Sequence, residues 1–216
     1  MNWQDEGYLL SKNNYTENSI IIEVFTNDHG KYSGIVYGGS SRKQKRIFQI
    51  GNKIFLNLIS KTQNRSGYFN VELIKPITPL FVDNKKKSAC MLSAVSILKI
   101  LLPERQTNKI IYNSFEKMIS SFNSNNWIFC YIEWELLLIK QLGYEIDLSK
   151  SNSTIKLNDK LIKVPEILFN KNTNNFSKND IKEALIFNRN LLIENFIAPN
   201  QLRYPFFRNL LENYYI

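Results

Sequence analysis

Over the first 80 residues, apolar and polar positions follow a period of two, the spacing of strands with one buried face. YLLSK is a short apolar run, and SIIIEVFT (19–26) is β-branched and aromatic. A turn at Asp28–Gly30 leads into a strand at Lys31–Tyr37. After a turn signal at Gly51–Asn52, Ile54, Leu56 and Leu58 oppose Phe55, Asn57 and Ile59. Further on, Phe69, Val71 and Leu73 oppose Asn70 and Glu72. About five short strands punctuated by glycine predict a small closed barrel of OB or SH3-like type, which periodicity does not separate.

Beyond KPITPLFVD (75–83) the period becomes 3.6. Met91, Val95, Leu98 and Leu102 share one helical face, and Pro103 stops that helix. Ile111, Phe115, Met118 and Phe122 line a second helix. Ile128, Ile132, Glu135, Ile139 and Leu142 line a third, which Gly143 ends. Residues 149–176 are polar and Asn-rich, as expected of a loop or a small irregular insertion. Ser177 with Asp180 predicts a capped helix to about Phe196, and Pro205 suits the first turn of a last one. The reading is α+β in two domains: a barrel over 1–80, then a helical bundle over 81–216 with 149–176 irregular. No internal repeat is present.

Charge changes this picture in one place. The 216 residues carry a formal net charge of +9, part of which reflects the general over-use of Lys, Asn and Ile. From His29 to Val71, however, eight cations (Lys31, Arg42, Lys43, Lys45, Arg46, Lys53, Lys61 and Arg65) occur with no Asp or Glu. Crowded like charges repel, so such a window implies an anionic partner. Arg suits bidentate phosphate contacts, and Tyr32, Tyr37 and Phe48 flank the basic segment with rings on which unpaired bases can stack. The expected ligand is a single-stranded nucleic acid held by its backbone.

Catalytic patterns are missing. His29, the only histidine, sits in NDHGK, a sequence suited to a tight turn. Glu133 and Glu135 point to opposite sides of a helix and do not form an acid/base pair. The sequence has no P-loop, GxSxG or metal-spaced cluster. Cys90 and Cys130 lie in apolar helical patterns as expected free thiols, so the chain reads as non-enzymatic, without a cofactor, and cytoplasmic. No apolar stretch approaches the length of a membrane span, and no membrane partner is expected.

WQDEGYLLS followed by EVFTNDHGKYSGIVYGGSSRKQ resembles the start of the RecO family of bacterial recombination and repair proteins, which opens with xDEGxVLS and then HGKxxGxxKGxRR. LLPERQ (101–106) and YIEWELLLIKQLGYEIDLS (131–149) continue the resemblance in order. It implies an OB-fold, a helical domain and a non-catalytic mediator, expected to act as a monomer. It also implies binding of single- and double-stranded DNA, strand annealing, and work with RecR to load RecA on gaps coated by single-stranded-DNA-binding protein. The acidic tail of that protein is a further implied partner. Lys31, Arg42 and Lys43 fall on the family's HGK and basic-loop positions; Lys45, Arg46, Lys53, Lys61 and Arg65 rest on charge alone.

Many members carry a cysteine of a four-cysteine zinc site just after Asp-Leu-Ser. Here Lys150 and Ser151 stand in that place and the later cysteine pairs are missing, so no zinc site is expected. Lys85–Lys87, Arg203 and Arg208 are candidate rims for an acidic-tail pocket. Two alternatives remain open: an OB-fold protein acting on RNA, and a protein adaptor whose basic loop meets an acidic partner.

Overall fold

A computed structural model describes residues 2–42, 44–60, 67–144, 154–157, 160–169 and 176–216. By contacts the chain divides into two compact units, Met1–Tyr112 and Asn113–Ile216. Strand-to-helix change suggests a boundary at residue 80. Packing instead keeps the first helix with the barrel.

In the first unit, β1 (Asn2–Thr16), β2 (Ser19–Thr26), β3 (Gly30–Tyr37), β4 (Lys53–Ile59) and β5 (Tyr68–Lys75) close a barrel in the order β1-β2-β3-β5-β4. The closing pair, β3 with β5, is parallel through Ile35 and Tyr68 and the rest are antiparallel. This is the OB-fold arrangement. Alternation is realised as expected: Ile54, Leu56 and Leu58 are buried, and with Leu9, Ile22, Val24 and Phe69 they fill the interior. β1 runs much longer than YLLSK suggests, because two ladders hold it. Asn2–Tyr8 pairs with β4 and Gly7–Thr16 with β2, so its polar ends are strand without any alternation to reveal them.

Tyr8, Leu10 and Phe25 alternate with the interior residues yet are buried, because helices cover the outside of the barrel there. α1 (Lys85–Leu101) packs against β1. Tyr112, near the start of α2 (Lys109–Ser120), lies 5.6 Å from the Tyr8 ring and 5.5 Å from that of Phe25. Asn84 caps α1 by accepting from the Lys86 and Lys87 amides.

One carboxylate organises this unit. Asp5 Oδ1 accepts from the Glu6 amide, and Oδ2 accepts from the amides of Asp28 at 2.9 Å and His29 at 3.1 Å. The His29 ring nitrogen Nδ1 lies 2.8 Å from the same oxygen, and the ring stacks on Trp3 at 4.1 Å. Asp28–Gly30 is the expected tight turn, with Gly30 at φ +73° and so near the Gln106 carbonyl that a Cβ would stand 2.2 Å from its oxygen. LLPERQ folds over this turn: the Arg105 amide donates to the Lys31 carbonyl, and the Thr107 hydroxyl donates to the Asp28 carbonyl. Lys109 adds an ion pair to Asp28 and, through that hydrogen bond, holds the Asp28 carboxyl below its ordinary range. The DEG, HGK and LLPERQ segments therefore meet at one junction.

The second unit contains the rest of α2, α3 (Trp127–Gln141), the hairpin β6 (Thr154–Leu157) and β7 (Lys160–Lys163), α4 (Lys178–Leu192) and α5 (Phe206–Asn213). The hairpin occupies part of the stretch expected to be irregular; Lys150 and Ser151 lie outside the described residues. Ser177 and Asp180 form the expected reciprocal capping box, and Gly143 at φ +102° follows the end of α3. Pro205 caps α5 from just outside its first turn. Glu135, on the apolar face of α3, is fully buried against Arg208 of α5, with Nε at 2.6 Å from Oε1. Tyr131 and Asn188 donate to the same carboxylate, and Glu212 also faces Arg208. Burial opposes the Arg208 charge, but the Glu135 carboxylate outweighs it and raises the guanidinium above its ordinary range. Arg208 is therefore a core residue and not the pocket rim expected from sequence.

Asp5→Ala removes the side-chain acceptor of the Asp28 and Glu6 amides in a half-buried site and leaves the His29 amide only Thr26 Oγ1, at 3.2 Å. It should lower stability by about 3 kcal/mol in urea unfolding, with Asp5→Asn losing less.

Candidate nucleic-acid interface

The basic segment joins β3 to β4, and its architecture separates an inner from an outer face. Phe48, 1% exposed, is part of the barrel core, with Ile47 and Ile50 packed beside it. Asn52 is fully buried: its Nδ2 donates to the carbonyls of Arg46 at 3.0 Å and Ile47 at 3.1 Å, and its Oδ1 accepts from the Ile77 amide at 2.9 Å. The Gly51 amide donates to the Leu9 carbonyl, and the Leu9 amide to the Asn52 carbonyl. A buried Asn satisfied on both ends of its amide fixes a loop, because any shift strands a polar group in the core. Gln44–Arg46 forms a single 3-10 turn on the outside of this anchor. Ser40 Oγ donates to the Glu17 carbonyl and ties the start of the loop to the β1–β2 hairpin.

On the outer face Arg42, Lys45 and Arg46 are exposed, and among the described residues none has an ion-pair partner. Tyr37, 66% exposed, precedes them at the end of β3, its ring 5.7 Å from that of Tyr68. These four residues are exposed on the end of β3 and on the segment that follows it. Lys43, Lys61 and Arg65 lie outside the described residues.

The remaining candidates are engaged elsewhere. Lys31 is 9% exposed, and its Nζ donates at 2.8 Å to the Lys99 carbonyl in the last turn of α1, where helix carbonyls lack intrahelical partners. Lys53 pairs with Glu6 at 2.6 Å and lies over the rings of Tyr8 and Tyr112. Tyr32 meets Trp3 edge-on at 5.0 Å and carries the Arg105 guanidinium over its ring at 5.3 Å. Phe48 offers no face to a base. Charge and aromatic counting picks out such residues because it cannot register a partner far away in sequence.

Sequence reasoning also misses Lys12 and Asn14. The β1–β4 ladder stops at Tyr8–Lys53 and Leu9 still bonds Gly51 and Asn52; beyond Leu9, β1 pairs with β2 alone. Lys12 and Asn14, two residues apart and both exposed, line a cleft of about 240 Å³ with Gly39, Ser40 and Lys45, above Ile20 and Phe48. Lys12 stands 30 residues before Arg42, beyond any window that defines the cluster.

Among the described residues no group of His, Cys, Asp and Glu could hold a metal ion, and no helix is long and apolar enough to cross a membrane. Cys90 is buried and Cys130 half-buried, and neither is in a disulfide.

Residues 1–77 match the family model described as Recombination protein O N terminal, and residues 84–179 match that described as Recombination protein O C terminal. Similar curated proteins carry the name DNA repair protein RecO. The one from Cereibacter sphaeroides is 34% identical over 151 residues, 69% of this chain and 62% of the relative. That of Roseobacter denitrificans is 30% identical over 167 residues, 77% of this chain and 69% of the relative. That of a Wolbachia of Drosophila simulans is 29% identical over 239 aligned positions, 98% of this chain and 99% of the relative. The chain thus spans under two thirds of the length of some relatives and nearly all of another.

Lys31→Met and Phe48→Ala test the split between inner and outer residues. Both should lower unfolding stability, by about 1–3 kcal/mol and 3–5 kcal/mol respectively, and Tyr37→Ala should leave it unchanged within about 0.5 kcal/mol.

Proposed function

Because the chain belongs to the RecO family, we propose that it is a non-catalytic mediator of DNA repair and recombination whose barrel holds DNA through the β3–β4 loop. The observation that carries this reading is the set of exposed cations, Arg42, Lys45 and Arg46, on a loop anchored by Phe48 and Asn52. An anchored backbone means that little ordering cost accompanies binding. Cations without an ion-pair partner among the described residues lose none there on meeting phosphate, and each phosphate contact releases condensed counterions. Tyr37 adds a ring for an unpaired base, which favours a single strand over a duplex. The same cations screen a bound strand from a second one, which is the physical requirement for annealing.

In this reading the chain works with RecR to promote RecA loading on strands coated by single-stranded-DNA-binding protein, and acts on both single- and double-stranded DNA. With Arg208 buried under Glu135, the helical unit keeps Arg203, exposed between Leu202 and the 68% exposed Phe206, as the pairing of cation and apolar surface suited to an acidic tail.

Arg42→Ala with Arg46→Ala should weaken single-stranded DNA binding roughly ten- to thirtyfold at about 0.1 M salt. It should also make the log–log salt slope shallower by about 1.4, two contacts at about 0.7 each. Sequence should matter little, and annealing should fall in parallel. Wild-type affinity, slope and annealing in this variant would remove the loop from the function, and tighter binding of RNA than DNA by the unaltered protein would move the reading to RNA.

A further inference from the structure

The cleft between the free edge of β1 and the basic segment differs from the open surface around it. It is lined by two separate pieces of chain, with the apolar Ile20 and Phe48 among its lining and one lysine from each piece, Lys12 and Lys45. Asn14 and Ser40 add neutral hydrogen-bonding groups. Among the described residues Lys12, Lys45 and the Asn14 side chain have no polar partner, whereas Lys31, Lys53, Lys99 and Lys109 on the same unit are all engaged. The fold itself supplies the opening: β1 outruns β4 by the residues after Tyr8, and the loop that would fill the gap is held back at Gly51–Asn52 by its bonds to Leu9.

We propose that this cleft seats one nucleotide unit of a single strand, its phosphate between the Lys12 and Lys45 ammonium groups and its sugar or base edge toward Asn14 and Ser40. At about 240 Å³ it is smaller than the usual pocket for a drug-sized ligand, roughly 300–1,000 Å³, and suits a single nucleotide unit. A duplex, whose backbone cannot leave its helix to enter a recess, passes over it. The proposal rests on the reading of the loop as a DNA-binding surface and adds to it a discrete seat and a basis for preferring one strand to two. Lys12 becomes a binding residue, although it lies outside the acid-free window.

The test measures binding of a fluorescently labelled thymidine strand of about 15 nucleotides, and of a duplex of the same length, to the full chain and three variants. Lys12→Ala removes one seat cation, Lys12→Arg keeps the charge, and Lys75→Ala removes an exposed lysine on β5 that is not among the residues lining the cleft. Lys12→Ala should weaken the single strand about fivefold at about 0.1 M salt and make its slope shallower by about 0.7, while duplex affinity changes less than about twofold. Lys12→Arg and Lys75→Ala should stay near wild type on the single strand. Equal losses from Lys12→Ala and Lys75→Ala, or equal losses on strand and duplex, would reduce Lys12 to diffuse charge and overturn the seat. If Lys12→Ala is silent while the Arg42 and Arg46 change weakens binding, the seat falls and the loop reading stands; if both are silent, both fall.

Discussion

The Asp5 carboxylate is the constraint on which the rest of the first unit depends. It receives the amides of Asp28 and His29 and thereby fixes the β2–β3 turn. The turn then forms the base on which residues 104–107 lie, with backbone and side-chain bonds to Lys31 and Asp28. Those residues connect α1 to α2, so one buried carboxylate links the barrel to the helices that cover its outer face. Three amides converge on this one carboxylate, so its loss would disturb them together, which is why the junction behaves as a unit. Motif segments that look like binding signatures in sequence, DEG and HGK, have this structural work: Lys31 completes it by bonding the end of α1.

The proposed binding surface lies elsewhere and follows a different rule. Its loop must be rigid enough to present charge and yet keep that charge unneutralised. Phe48 and Asn52 meet the first condition from inside, and the absence of acids from His29 to Val71 meets the second. The separation is local: Arg46 gives its carbonyl to Asn52 and its guanidinium to solvent within one residue.

Period and turn chemistry made the architecture legible. Ile54, Leu56 and Leu58 marked an inner face, Gly30 and Gly143 marked turns, and Ser177 with Asp180 marked a helix start, all as found. What sequence could not show was pairing over distance. Lys31 and Lys53 counted as free cations because their partners, the Lys99 carbonyl and Glu6, are 68 and 47 residues away. Arg208 looked like a surface cation because Glu135, 73 residues earlier, was visible only as an odd member of an apolar face. Lys12 was passed over for the converse reason, since only the length of β1 brings it beside Lys45. β6 and β7 were hidden by short, polar strands whose alternation is too brief to register.

The central claim, that the outer face of the barrel loop and the neighbouring edge of β1 together receive a single strand, is tested most directly by mapping backbone amides by NMR as a short thymidine oligonucleotide is titrated into the full chain. The account predicts the largest shifts at Lys12–Asn14, Tyr37–Arg42 and Gln44–Arg46, with the amides of Lys31, Lys53 and Glu135 little changed. Shifts concentrated in Asn113–Ile216, with Tyr37–Arg46 unmoved, would contradict it.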